Sequence, residues 1–315
     1  MEITDTALRR SQWETKVGGA ALQHGWAYGA VAARHGATCR RFELRDGERH
    51  GLAQVICRSL GPVGIGYLPL GIRWISGDGS APGDLTSLRQ ALSAQRMHLL
   101  VAPSEARPQR WAPRLSTPRE MAVLRLDPGA DQRAALQKKW RNRLNVAERS
   151  GLETRLDTGI PVWLVAAERA QQKRRGYGNF TSGWIAAWQK LAPGRSFTIE
   201  AGPETSPFAA MSFLLHGQGA TYFLGWRSET SPACHAHNLL MWRAILHLQG
   251  LGVVRLDLGQ IDRRAAPGLA RFKLGTGAKI ETLPALYAIG PSGRGRSGAR
   301  DADGGRAFLP VGSVK

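Results

Sequence analysis

The chain has 315 residues, 43% of them hydrophobic, with 10 Trp, enough to bury a sizeable core and to allow two domains of ordinary size. Its 43 Lys and Arg against 24 Asp and Glu give a formal net charge of +19, which points to a polyanionic partner or to an arginine-rich, solvated surface. No stretch reaches the roughly 18 apolar residues of a membrane span, and the N-terminal MEITDTALRRSQWETKV has acids and no apolar segment, so a cytoplasmic protein is expected.

Residues 8–35 read as a helix with Trp13, Val17, Ala20, Ala21 and His24 on one face. Residues 38–44 and 51–60 read as strands joined by Arg45-Asp46-Gly47-Glu48, whose Asp-Gly pair is a hairpin signal. Gly61-Pro62 breaks the second strand, and GIGYLPLGIRWISG then reads as a punctuated loop carrying Tyr67, Arg73 and Trp74. A helix over 85–96, a strand over 97–102, a Pro- and Arg-rich loop over 103–118 and a strand over 121–126 follow.

Residues 131–150 predict a helix with Leu136, Trp140, Leu144 and Ala147 on one face. Lys138, Arg141, Asn145 and Arg149 fall on the opposite face, which is either a solvated basic surface or a grip on phosphates. Helices over 160–175 and 183–191 flank Gly176-Tyr177-Gly178. The run Lys173 to Gly178 comes near the Gln/Arg-x-x-Gly-x-Gly/Ala loop that cradles pyrophosphate in acetyl-CoA enzymes. Such a loop should open a helix, whereas this one closes a helix, as a glycine cap with a basic last turn does.

Strands over 197–201, 209–216 and 219–226 come next, the last two forming a hairpin around Gly217-Gln218. A mostly apolar helix over 237–249 precedes a strand over 253–258. That strand delivers Asp257, and the helical turns that follow carry Arg271, Phe272 and Lys273 before Gly275 and Gly277. A last strand covers 278–288, and residues 290–315 read as a disordered tail. Cys39, Cys57 and Cys234 make neither a disulfide framework nor a zinc spacing, and Cys234-His235-Ala236-His237 lacks further ligands, so no metal is expected. No Ser-His-Asp order, Walker loop or dinucleotide fingerprint is present. The pattern predicts an α/β (α+β) protein with mixed, mainly antiparallel sheets flanked by helices, divided into 1–150 and 151–289.

Two segments carry a resemblance. Asp257-Leu258-Gly259 followed by Arg271-Phe272-Lys273 and Gly277 resembles the C-terminal signature of the Fem family of peptidyltransferases. QKKWRNRLNVAERSGLE, over 137–153, resembles that family's basic helix ending in Ala-Glu-x-x-Gly. The family's Tyr-x-Pro-Arg-Gly-Pro run stands here as Tyr67-Leu68-Pro69-Leu70-Gly71-Ile72, with Arg73 close by, and the long helical arm of some members has no counterpart. The resemblance implies tandem GNAT-like (acetyltransferase-type) domains. It implies transfer of an amino acid from aminoacyl-tRNA to an amine such as that of a peptidoglycan precursor, with no cofactor beyond the co-substrate.

On that reading an oxyanion develops when an amine attacks the donor ester, and Lys273 stabilises charge on the donor ester or phosphate, or is a surface or salt-bridged lysine. Phe272 stacks on the donor's terminal base or is plain core. Asp257 acts as base, orients Lys273, or caps the turn after its strand. Arg271, Arg141 and Lys138 contact phosphates, and Tyr67 and Arg73 contact substrate in the first unit. Two other functions stay open: an acyl-CoA-dependent N-acetyltransferase, and a non-catalytic basic RNA-binding protein on a GNAT scaffold. Expected partners are tRNA or another phosphate-bearing substrate, a peptidoglycan precursor, and peripherally a membrane surface.

Overall fold

A computed structural model describes residues 1–291, apart from Asp78, Ser80, Pro82, Gln95 and residues 230–233. The tail expected beyond Pro291 lies outside the described residues. The first half runs β1 (Glu2–Asp5), α1 (Arg10–Val17), α2 (Trp26–Arg34), β2 (Thr38–Asp46), β3 (Arg49–Leu60), β4 (Val63–Tyr67), β5 (Arg73–Ser76), α3 (Asp84–Ser93) and β6 (Met97–Ser104). The helix expected over 8–35 is two helices with a 3-10 turn at Leu22–His24 between them. Gly18 (φ 57) ends α1 and turns the chain, so that Trp13, Val17 and Leu22 are all buried. Strands β1, β4 and β5 were not expected, being short segments whose pairing comes from β2, β3 and β6.

The chain continues through β7 (Arg119–Arg125), α4 (Gln132–Ala135), α5 (Lys138–Arg149), β8 (Thr154–Thr158), α6 (Val162–Arg175), α7 (Ser182–Leu191), β9 (Ser196–Ala201), β10 (Ala209–His216) and β11 (Gly219–Arg227). It ends with α8 (Ala236–Gly250), β12 (Arg255–Gln260), α9 (Pro267–Leu274), β13 (Lys279–Leu283) and β14 (Ala285–Ile289). The helix expected over 131–150 breaks where Leu136 takes extended backbone. The Asp131 side chain caps α4, and the Gln137 N–H donates 3.0 Å to the Gly275 carbonyl, which ties the start of α5 to the end of α9. The strand expected over 278–288 is cut by Pro284, which has no N–H to donate to a ladder.

The fold is mixed α/β, as expected. One sheet has the order β1-β2-β3-β4-β6-β14 with β5 on β3, and the other β13-β7-β12-β11-β10-β9-β8. Among the described strand pairs only β4 with β6 and β11 with β12 are parallel. Each parallel pair follows the same path: an antiparallel hairpin, a helix, then a strand returning beside the hairpin's second arm. The two halves therefore repeat one topology without repeating a sequence.

Sheet membership does not follow a cut at residue 150. Strand β7 and the buried face of α5 belong to the second sheet and its core, with Leu124, Trp140 and Leu144 in one cluster with Leu256 and Leu258. Strand β14 returns to the first sheet beside β6. A further core joins the halves, bringing Tyr28 and Val31 of α2 together with Trp188 of α7 and Leu214 and Leu224 of the second sheet.

Candidate functional site

Strands β11 and β12 pair only from Gly219–Arg255 to Thr221–Asp257. Beyond that point neither is bonded to the other, and the two diverge. Asp257 sits at the last shared position and is 7% exposed. Its Oδ1 accepts from the Gly259 N–H at 2.7 Å, an Asx turn at the register shift of β12 against β7 between Asp257 and Gln260. Burial raises the Asp257 pKa, against the Gly259 N–H and the nearby Arg255 and Lys273, which lower it.

Lys273 lies on α9 and is 6% exposed. Its Nζ donates to the Gln260 carbonyl at 2.8 Å. Burial pulls its pKa from 10.5 down to about 8, with Asp257 acting in the opposite sense. Among the described hydrogen bonds the ammonium gives one of its three N–H groups to protein. A cation held in low dielectric by a backbone carbonyl is suited to meeting negative charge as it develops.

Helix α9 is fixed on α5 by close packing. The Trp140 Nε1–H donates to the Phe272 carbonyl at 3.0 Å, with the two ring centroids 6.1 Å apart. A Cβ at Gly275 would overlap the Trp140 ring, so only glycine lets the helices approach this closely. The Thr276 hydroxyl closes the turn on the Lys273 carbonyl at 2.7 Å. Trp140 thus brings the first turn of α5, with exposed Lys138 and half-buried Arg141, beside the turn that carries exposed Arg271 and buried Lys273. Phe272 is half-buried against the second core, and its ring lies 6.4 Å from His237.

Tyr67 and Arg73 are placed elsewhere. Tyr67 ends β4 and packs into the core between the halves, where burial raises its pKa. Arg73 is exposed at the start of β5, with its backbone paired to Leu52. Gly176 adopts a left-handed conformation (φ 68, ψ 32) and donates its N–H to Gln172, so the Lys173 to Gly178 run ends α6 as a C-cap.

Sequence reasoning missed a buried polar network on α6. Glu168 (4% exposed) accepts from the Tyr177 hydroxyl at 2.8 Å and from Gln171 Nε2 at 2.9 Å. Gln171 Nε2 also lies 3.2 Å from the Gly225 carbonyl, and Asn179 Nδ2 3.4 Å from that of Phe223. The His237 Nε2 bonds the Trp226 carbonyl at 3.0 Å. Side chains therefore take up carbonyls of β11 where β12 has turned away. Burial raises the Glu168 pKa and pushes Tyr177 up to about 12. The one sequence signal is Glu168 and Gln171 at i, i+3, a polar pair on a helix whose buried face also holds Leu164.

Among the described residues no group of three or more His, Cys, Asp or Glu is placed to hold a metal ion. No helix there is long and apolar enough to cross a membrane.

No protein-family model matches the sequence, and no curated protein is similar to it at a significant level. Solved structures are similar in fold. FemX superposes with a TM-score of 0.71 at 13% identity, covering 91% of this chain and 97% of its own. A tandem GNAT protein from the clavulanic acid biosynthesis pathway gives 0.52 at 14% identity, over 93% and 99% of the two chains. A conserved protein of unknown function from Bacteroides thetaiotaomicron gives 0.54 at 10% identity, over 91% and 99%.

Proposed function

Starting from a tandem GNAT fold of the FemX kind, we propose that this protein is an N-acyltransferase that uses aminoacyl-tRNA and delivers its acyl group to an amine such as that of a peptidoglycan precursor. The observation that carries the reading is Lys273. It is a buried lysine kept beside Asp257 where two strands part, on a helix locked to a basic helix. The amine nitrogen attacks the ester carbonyl of the donor, the C–O bond to the ribose breaks after the tetrahedral intermediate, and the proton lost by the amine ends on the departing ribose hydroxyl. Lys273 donates to the oxyanion of that intermediate. Asp257, bound through one oxygen to Gly259, keeps the ammonium charged by its proximity. Lys138, Arg141 and Arg271 supply cations to the donor's phosphates at the α5–α9 junction.

The test is parallel titration of the protein with charged tRNA, uncharged tRNA and acetyl-CoA at two salt concentrations. Preference for charged tRNA, lost in Lys273→Ala, supports the reading. Saturable acetyl-CoA binding with only weak, salt-sensitive tRNA binding moves the protein to acyl-CoA chemistry. Equal binding of both tRNA forms, with no transfer to any amine, moves it to non-catalytic RNA binding. Reversing Lys138 and Arg141 to Glu is expected to weaken tRNA binding and to flatten its salt slope by about one unit for each phosphate no longer neutralised.

A further inference from the structure

The end of the first sheet where β3 turns into β4 carries large apolar side chains that nothing in the described chain covers. Trp111 is 81% exposed, Leu60 68% and Val63 42%. A lone exposed leucine needs no explanation, but a protruding Trp grouped with aliphatic tips marks an interaction surface. Trp111 is not on slack chain. The Leu115 N–H donates to the Leu286 carbonyl at 2.7 Å, and the Ala288 N–H to the Pro113 carbonyl at 3.0 Å. Gln109 Nε2 reaches the Gly290 carbonyl at 3.3 Å, and neighbouring Ala112 is buried against Ala285 and Tyr287. The loop is stitched to the edge of β14 and holds the indole outward.

Strand register places these residues on one rim. Leu60 pairs with Val63 across the turn, Gly64 with Met97 at the start of β6, and Leu100 with Ile289 at the end of β14. At about 4.8 Å per strand step, the β3–β4 turn and the Trp111 turn stand roughly 15 Å apart. The segments that form the rim, 57–67 and 96–118, contain Arg58, Arg96, Arg107, Arg110 and Arg114 against a single acid, Glu105. The Arg110 guanidinium lies 5.7 Å from the Trp111 ring centroid. Beside the turn, an open cavity of about 450 Å³ is lined by Thr38, Arg40, Cys57, Arg58, Ser59 and Met97 among others, a basic and hydroxyl-bearing hollow.

We propose that this rim docks the protein on an anionic membrane surface. Trp111 and Leu60 enter the headgroup region, and Arg58, Arg96 and Arg110 meet lipid phosphates. Trp is favoured at the headgroup level, and each basic side chain near an anionic surface adds to binding. The aliphatic tips decide against RNA. Stacking on bases uses aromatic faces and cations, whereas Leu60 and Val63 gain only by leaving water for an apolar phase.

The test is co-sedimentation of the full chain with phosphatidylcholine vesicles, with and without phosphatidylglycerol, at two salt concentrations. The expected result is binding that requires phosphatidylglycerol and weakens with salt. The double variant Trp111→Ala with Leu60→Ser is expected to lower the partition coefficient roughly tenfold. Arg58→Glu with Arg110→Glu should remove the preference for the anionic lipid. Unchanged urea midpoints show that the variants fold, and transfer to a soluble amine in free solution should be unchanged in both. Docking and catalysis are thereby read separately. Absence of binding to phosphatidylglycerol vesicles overturns the proposal, as does equal binding by wild type and variants. Loss of tRNA affinity in the Trp111 variant with vesicle binding intact assigns the rim to RNA instead.

Discussion

Lys273 is where burial meets the proposed chemistry. A lysine whose pKa falls from 10.5 to about 8 is destabilised in its charged form by roughly 3–4 kcal/mol, at about 1.4 kcal/mol per unit. The unfolded chain binds the extra proton between pH 8 and 10.5, so this group's cost is fully present below about pH 8. It is relieved as pH rises toward 10.5. Lys273→Met should therefore raise the urea midpoint at pH 7 and remove that alkaline gain in stability, while abolishing transfer. If the midpoint does not rise, the lysine is better solvated than its 6% exposure implies. Transfer by the natural protein should fall as pH rises through about 8, because the proposed donor to the oxyanion is the ammonium. In Lys273→Arg, whose guanidinium stays charged, any residual activity should lose that alkaline limb. A limb that persists belongs to another group.

Between elements, α5 and α9 act as one unit because glycine permits contact. Gly275→Ala drives a methyl into the Trp140 ring, and overpacking of this kind costs about 1–3 kcal/mol. The displaced helix carries Lys273, so the rate of transfer should drop by more than the loss of stability explains. Activity unchanged at a lowered melting temperature would separate the α5 packing from the site. On the other side of β11, Glu168→Ala leaves Tyr177 and Gln171 without their buried acceptor, at a cost of about 1–3 kcal/mol. Hydrogen exchange should quicken over 176–181 and 223–226, which this network joins. Uniform exchange across the chain would mean that the network supports the fold at large and is not a local clamp.

For the molecule as a whole, the sheets exchange strands. Strand β7 comes from the first half and lies between β12 and β13, while β14 comes from the C-terminal part and closes the first sheet beside β6. A fragment of residues 1–150 keeps β7 and α5 without the core they cover and lacks β14. It should be unfolded by far-UV circular dichroism, with no cooperative urea transition. A cooperative transition in that fragment would show that the first sheet tolerates an open edge at β6. The divergence of β11 from β12 beyond Asp257 is likewise a property of the whole. The two strands are joined in the chain through α8, which packs on β9 and β10, so no single element encodes that divergence.

Much of this was legible in the chain. Periodicity gave the amphipathic α5, because Trp140, Leu144 and Ala147 recur at helical spacing whatever they pack against. Asp-Gly gave the β2–β3 hairpin, and the basic turn before Gly176 gave a helix end, because backbone sterics act within a few residues. The segment from Asp257 to Gly277 gave the fold resemblance and marked Lys273 as a candidate. Long-range contacts decided the rest. The seating of α9, which carries Lys273, depends on Trp140, which lies more than a hundred residues away in sequence. Pro284 stops one strand, but only the free edge of β6 decides that the next strand joins the other sheet. The exposure of Trp111 follows from a loop stitched to β14, a strand formed far along the chain. Local patterns fix what a segment prefers; burial and strand pairing are set by the partner, and the partner is a property of the tertiary structure alone.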